Sequence, residues 1–469
     1  MREAQQRRRL GPRNYDIFPM PMRLPMVMCL FCTTVLLAAT SARAQQPAPS
    51  AQEVLTHFGA APNGLARYDY LTAVIPQLDN NTKSLARQLL ATVDSELGLY
   101  NEAAMAFPFD NRLAPPKSGA LPRSEEWRSV DAADAVVELA AQRHIVMINE
   151  AHHDAHTREL TLALLPRLRA LGFRYFAAEA LSEKDTDLMH RGYATDASGS
   201  EYLLEPLYGE IVRQAIKLGY IIVPYDSDSA SINNRDTEQA QTLYEKVFAK
   251  DPQAKLFVHA GYSHIDKAVG NLGDDIQPMG MLLKHLSGYD PLCVDQVQFR
   301  DVAVGGLDFG FYDALALRFP SSVPIALRER GTGVIWSSDP RQHDITVILP
   351  PADESDLDTN GLKNADEMRR MVVLPRPPFD ADQRPKWLTL GGRRVTYPIN
   401  ADLCTGQIPC VIDAYYPGEP DTSIPADRYT LVHTRAHNVL YLYPGHYRLR
   451  AWNASGTTLS QREIDVPPH

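Results

Sequence analysis

Residues 144–181 read HIVMINEAHHDAHTRELTLALLPRLRALGFRYFAAEAL, and the fold follows from how this stretch alternates. A short apolar run, Ile145 to Ile148, leads to Glu150, and His152, His153, Asp154 and His156 follow within the next six residues. An amphipathic segment comes next, then a second apolar run, Phe173 to Ala178, closed by another acid, Glu179. Strand, polar turn, helix and strand are the parts of an open α/β sheet. Ligands sit at the carboxyl ends of its parallel strands, where side chains leave the packed layers and face a crevice. The chemistry is therefore expected at Glu150, His152 and Glu179.

Working outward, apolar runs of strand length continue at Tyr220 to Tyr225, Lys255 to Ala260 and Leu292 to Gln298. Segments of helical periodicity separate them: Asp154 to Leu171, Tyr202 to Leu218, Arg235 to Phe248 and Met279 to Leu286. Near-continuous apolar strands alternating with helices predict a parallel sheet covered on both faces. The core domain spans 120–349, ending with a helix at Tyr312 to Leu317 and strands at Ile325 to Ser337 and Asp344 to Leu349.

The flanks read differently. Within the helical N-terminal region, 45–119, residues 45–60 are rich in Ala, Pro, Gln and Ser and read as a flexible leader. From Tyr68 to Phe107 the spacing is helical, as in Leu85, Leu89, Leu90, Val93 and Leu97, and this stretch is expected to pack on the domain that follows. Residues 350–385, rich in Pro and Asp apart from a helical piece at Leu362 to Met371, form a linker. From 386 to 469 the period is two: Tyr447, Leu449 and Ala451 alternate with Arg448 and Arg450, which predicts a small antiparallel β-sandwich.

The first 44 residues combine a basic region, an apolar run from Met26 to Ala39 and small residues at Ala42 and Ala44, the pattern of a cleaved signal peptide. The apolar run is shorter than the ~20 residues a spanning helix needs, so no membrane span is expected after cleavage. This leader carries seven arginines and two acids of the chain's 47 basic and 57 acidic residues, leaving 40 against 55, a net of −15. A chain so acidic repels phosphate backbones, which argues against a nucleic-acid partner. The expected location is periplasmic or secreted. In that oxidising setting Cys404 and Cys410 are close enough to close a disulfide loop, and Cys293, inside a core strand, is read as a buried thiol.

Glu150 and His152 differ by two, so on a continuing strand both emerge on one face, where they activate water as a base and its orienting partner. Asp226 ends the third strand in the same crevice, Arg235 opens the next helix, and Gly261 allows a bend that turns His264 inward. His153, His156 and Asp226 are expected on the substrate side. His259, inside the apolar run, is read as a satisfied core histidine. A different chemistry is also open: histidines four apart bind a divalent metal when they share a helix face, as His152 and His156 would if the helix began early.

Glu150-Ala-His152 after a strand, Ala178-Glu179, Arg235-Asp236, Gly261-Tyr-Ser-His264 and Met279-Gly280 with Leu282 and Leu283 resemble, in that order, the erythromycin esterase-like superfamily. More distantly, they are similar to haem-binding iron-regulated lipoproteins and TraB/TIKI-type proteases, and the lipoproteins imply an alternative in which His152, His156 or His264 holds haem or a divalent metal. The resemblance covers Trp127 to Phe299. It implies a doubly wound α/β fold and hydrolysis of an ester or amide in a small-molecule or peptide substrate, with no obligatory cofactor or metal. It casts His152 as general base, Glu150 and Glu179 as its orienting or acid partners, Arg235 as an anchor and His264 as a second imidazole. These families place Gly before the first Glu, where this chain has Asn149. A third expectation is an inactive scaffold whose C-terminal domain contacts a partner.

Overall fold

The computed structural model describes residues 48–109, 115–227, 229, 231–301, 310–351, 384–433 and 437–468. The expected signal peptide, most of the expected linker with its helical piece at Leu362 to Met371, and Asp228 lie outside the described residues.

Four helices open the described chain: α1 (Ala51–Ala60), α2 (Gly64–Val74), α3 (Asn80–Glu96) and α4 (Tyr100–Ala106). Side chains cap the first three, with Ser50, Asn63 and Asp79 accepting from backbone amides of the first turn. The core then runs β1 (Trp127–Asp131), α5 (Ala132–Ala140), β2 (Ile145–Glu150), α6 (Glu159–Ala170), β3 (Tyr175–Ala178), α7 (Leu188–Arg191), α8 (Pro206–Lys217), β4 (Ile221–Pro224) and α9 (Ile232–Leu243). It continues with β5 (Leu256–Gly261), α10 (Met279–Ser287), β6 (Leu292–Phe299), α11 (Phe311–Arg318), β7 (Ile325–Glu329) and β8 (Ile345–Ile348). Six further strands follow: β9 (Val395–Asn400), β10 (Cys410–Tyr415), β11 (Asp427–Leu431), β12 (His437–Leu442), β13 (Gly445–Trp452) and β14 (Thr458–Val466).

The core is a mostly parallel eight-stranded sheet in the order β1-β7-β8-β6-β2-β5-β3-β4. The strands from β8 to β4 run parallel; at one edge β7 pairs antiparallel with β8, and β1 antiparallel with β7. Alternation along β2 explains its unbroken apolar run. Val146 and Ile148 join α5, α6 and α8 on one face, while Ile145 and Met147 join α9 and α10 on the other. Because β5 pairs with both β2 and β3, the carboxyl ends of these three strands open side by side.

Several boundaries differ from the sequence expectation. The helix expected from Asp154 begins as a 3-10 turn, Ala155–Arg158, because Asp154 accepts from His156 N and caps that turn; α6 proper starts at Glu159. The strand expected to Ser337 stops at Glu329, where Gly333 takes a positive φ of 78° in a turn. β1 and α5 were not anticipated, and α1 replaces most of the flexible leader expected at 45–60, because Ser50 and Glu53 form a capping box that starts a helix there.

The C-terminal region forms a four-stranded antiparallel sheet, β11-β10-β13-β14, and a two-stranded pair, β12-β9. Its period-two reading holds in burial, with Tyr447, Leu449 and Ala451 inside. Cys404 and Cys410 form a disulfide with Cα atoms 5.9 Å apart. Cys293 is a buried free thiol. Among the described residues, no helix is long and apolar enough to cross a membrane.

The N-terminal helices correct a larger expectation. Their apolar face, including Val54, Phe58, Leu65, Leu71 and Val93, shares one core with Val411, Ile412, Leu440 and Leu449 of the C-terminal sheets, rather than packing chiefly on the domain that follows. Thr430 Oγ1 donates to Leu97 O at 3.0 Å and Asn63 Nδ2 to Ala454 O at 2.9 Å. Gly98, at φ 74°, is obligatory here: a Cβ would lie 2.0 Å from Arg428 O.

Candidate active site

β2 delivers Glu150 with 2% of its surface exposed. The strand does not continue through His152, as the spacing argument assumed. It ends at Glu150 and a tight turn follows, with Asp154 N donating to Ala151 O at 2.8 Å. That turn folds the imidazole back, so His152 Nδ1 and Glu150 Oε1 still meet at 2.9 Å. Arg158 Nε donates to Glu150 Oε2 at 2.6 Å. Burial alone would raise the Glu150 pKa, but Arg158, then His152 and His259, outweigh it and hold the carboxyl well below the usual carboxylate range. With Nδ1–H donated to a carboxylate, His152 keeps its Nε2 lone pair free.

Gly261, the last residue of β5, makes room for that imidazole. Its φ of −74° is ordinary, so it does not supply the expected special bend; a positive φ of 44° falls instead on Tyr262. What requires glycine is contact. A Cβ at Gly261 would lie 2.5 Å from His152 Nε2 and 3.1 Å from Glu179 Oε2, which puts both groups over one backbone position. The Gly261 N–H donates to Glu179 Oε2 at 2.5 Å. His152 is stacked on Tyr202, with ring centroids 3.8 Å apart, and meets the edge of Tyr262 at 5.1 Å.

Glu179 directly follows β3 and is 4% exposed. Arg235 Nη2 donates to its Oε1 at 2.8 Å, and His264 Nε2 lies 3.6 Å from the same oxygen. Burial would raise the Glu179 pKa, yet His264, His152, Arg235 and the Gly261 amide together lower it. His264 sits in the 3-10 turn after β5, with Nδ1 3.0 Å from each oxygen of Asp236, which is fully buried and also accepts from Met279 N at 2.7 Å. Burial would depress the His264 pKa, but Glu179 and Asp236 raise it, favouring the imidazolium. The result is two carboxylate-oriented imidazoles flanking one ionised, buried carboxylate.

The structure thus brings Glu150, His152, Glu179, Arg235 and His264 together, and it buries two of the other expected residues against aromatic rings. His153 is 1% exposed, stacked on Phe107 at 3.5 Å, with burial and Arg300 lowering its pKa well below the usual value. His156 is 4% exposed and stacked on Trp387 at 4.7 Å. Asp226 stays exposed beside Arg235, accepting from it at 2.9 and 3.0 Å and from Gln239 at 2.7 Å. His259 is buried as expected but unsatisfied: neither ring nitrogen has a hydrogen-bond partner, and Nε2 lies 3.6 Å from Glu150 Oε2.

The alternative ligand set is split by the same geometry, because His156 faces Trp387 rather than His152 and His264. Among the described residues no group of three or more His, Cys, Asp or Glu side chains is placed to hold a metal ion. Sequence reasoning missed Arg158, Glu205, Tyr202 and Tyr262, and it quoted Asp236 without giving it a role. The usable signal was the buried acid itself: Glu150 on an apolar strand demands a cation, and Arg158 stands near in sequence.

No protein-family model matches the chain. No curated protein matches it either. Solved structures are similar over part of its length. A bacterial protein toxin is 21% identical, with a TM-score of 0.27 over 35% of this chain and 37% of its own. The match thus spans little more than a third of that toxin. The type III effector HopBA1 is 13% identical, with a TM-score of 0.30 over 51% of this chain and 96% of its own. ChaN of Campylobacter jejuni, solved with cofacial haem, is 11% identical, with a TM-score of 0.27 over 49% of this chain and 99% of its own.

Proposed function

We propose that this chain is an exported hydrolase of the erythromycin esterase-like superfamily, cleaving an ester or amide bond in a small-molecule or peptide substrate with water activated by His152. The observation that carries this reading is the pairing of His152 Nδ1 with Glu150 at 2.9 Å, which leaves a free Nε2 beside the carboxylate of Glu179. His152 Nε2 takes a proton from water as the oxygen attacks the carbonyl carbon. Negative charge then develops on the carbonyl oxygen, where the His264 imidazolium and the Arg235 guanidinium supply positive charge. The tetrahedral adduct collapses, the bond to the leaving alkoxide or amine breaks, and that group leaves with a proton from an imidazolium. One water is consumed; one acid and one alcohol or amine are released. Glu179 is ionised and fixed by Arg235 and the Gly261 amide, and it orients water and imidazole alike.

The test is hydrolysis of a panel of p-nitrophenyl esters, lactones and peptides by the wild type and by Glu150→Gln, His152→Ala, Glu179→Gln and His264→Ala. Each variant should lose on the order of 10² or more in rate with its circular dichroism unchanged. A variant that keeps full turnover loses the role given to its residue. Absence of any turnover, with a Soret band on haem titration that His152→Ala and His264→Ala abolish, replaces hydrolysis by haem binding.

A further inference from the structure

Arg158 is fully buried, and its three bonds converge on the base. Nε donates to Glu150 Oε2 at 2.6 Å, Nη2 to the His152 carbonyl at 3.2 Å and Nη1 to Glu205 Oε2 at 3.0 Å. Glu205 is the N-cap of α8, accepting from Leu207 N and Tyr208 N at 2.9 and 3.0 Å. Its Oε1 accepts from Tyr100 Oη at 2.7 Å. Tyr100 opens α4 of the N-terminal helices, 105 residues before Glu205. Its ring is held from the other side by Trp387, centroids 5.4 Å apart, and by the Arg384 guanidinium at 5.4 Å. Arg384 is in turn clamped by both oxygens of Asp427 at the start of β11.

We propose that Arg158, Glu205 and Tyr100 are positioning residues of the hydrolytic site, a buried relay through which the N-terminal helices fix Glu150 and the backbone of His152. The proposal rests on the hydrolase reading of Glu150 and His152. Its physical basis is charge balance in a dry interior. A buried carboxylate without a cation takes up a proton, and Glu150 would then stop accepting from His152 Nδ1. Arg158 prevents this, but a lone buried guanidinium is equally costly, so a second carboxylate, Glu205, must stand behind it. Tyr100 and two backbone amides complete the acceptor shell of Glu205, fixing its rotamer and hence the guanidinium plane. The other groups around the pair do not replace these contacts. His259 is kept neutral by burial, with its pKa lowered to about 4, and Tyr208 packs its ring 5.0 Å from Arg158. Glu179, Tyr202 and Tyr262 adjoin the imidazole of His152 rather than the carboxylate of Glu150.

A proton NMR spectrum of the full chain tests this directly. The Nδ1–H that His152 gives to a charged carboxylate should resonate downfield of the amide envelope, assigned by its loss in His152→Ala. In Tyr100→Phe, which removes one hydroxyl and should fold, the resonance should shift upfield or broaden. With any substrate the panel yields, kcat should fall on the order of tenfold at nearly constant KM, as expected when a base is slightly misplaced. Arg158→Lys, which keeps the charge but not the planar fork, should lose more than Tyr100→Phe. The proposal is overturned if the wild type shows no such resonance, or if both variants leave it and kcat unchanged. A resonance that depends on Tyr100 and Arg158 in a protein that turns over nothing would retain the relay and remove the hydrolase.

Discussion

His264 and Asp236 form a buried pair in which both carboxylate oxygens lie 3.0 Å from Nδ1. A bidentate acceptor facing one ring nitrogen fixes the imidazole plane and leaves Nε2 directed at Glu179 Oε1, 3.6 Å away. Burial works against the charged ring; Glu179 and Asp236 work for it and prevail.

Asp236→Asn should therefore lower the His264 pKa. If the imidazolium is the active form, the alkaline limb of the rate profile moves to lower pH, read as kcat against pH. The stability effect has a defined sign. A histidine whose folded pKa is raised contributes fully below its unfolded value of about 6.5 and loses that contribution as pH rises through the folded value. The wild type should lose part of its Tm across that interval, and the Asn variant should lose less of it.

Gly261→Ala isolates a contact from a backbone effect. Alanine tolerates a φ of −74°, but its methyl would lie 2.3 Å from His152 Cε1 and 3.1 Å from Glu179 Oε2. The imidazole must swing away. Turnover should fall on the order of 10²-fold, the scale of a misplaced reacting group, with a circular dichroism spectrum like that of the wild type. Wild-type kcat in this variant would mean that His152 does its work from elsewhere.

Asn149 precedes Glu150 on β2, and both ends of its side-chain amide are hydrogen-bonded. Nδ2 donates to Asp295 Oδ1 at 2.8 Å and to Tyr262 O at 3.1 Å, while Oδ1 accepts from Gln296 N at 2.8 Å. The amide thus laces β2 to β6 and to the turn after β5. Asn149→Ala strips partners from buried groups and should cost about 1–3 kcal/mol, measured by urea unfolding. Asn149→Gly should be no better, because the lost bonds are the same.

Removing the disulfide with Cys404→Ala and Cys410→Ala should cost about 2 kcal/mol, the chain-entropy value for so short a loop. Reductant should lower the Tm of the wild type and leave the double variant where it is. Unreduced peptide mapping that finds Cys404 free would remove the prediction.

What the sequence made legible divides along physical lines. β2, β3 and β5 could be read because parallel strands buried on both faces need unbroken apolar runs, and the acids that close two of them stand out against that background. β1, Trp-Arg-Ser-Val-Asp, could not, since an edge strand keeps much of its surface in water and needs no such run. Glu150, His152, Glu179 and His264 were readable as polar residues at strand ends. Glu205 was not: it lies 47 residues from Arg158, and nothing periodic links a helix cap to a distant guanidinium. Likewise, amphipathic spacing told that the helices between Tyr68 and Phe107 carry an apolar face but not what covers it.

That face has a bearing on synthesis. Helices α1 to α4 are sealed by strands between Val395 and Val466, far downstream in the chain, so they are synthesised long before their cover exists. Until the last strands arrive, the early helices are marginal by themselves and their apolar stripe stays open to other chains. These helices are thus among the last parts to gain native stability, and a chain halted before β9 would leave them most prone to aggregation and proteolysis.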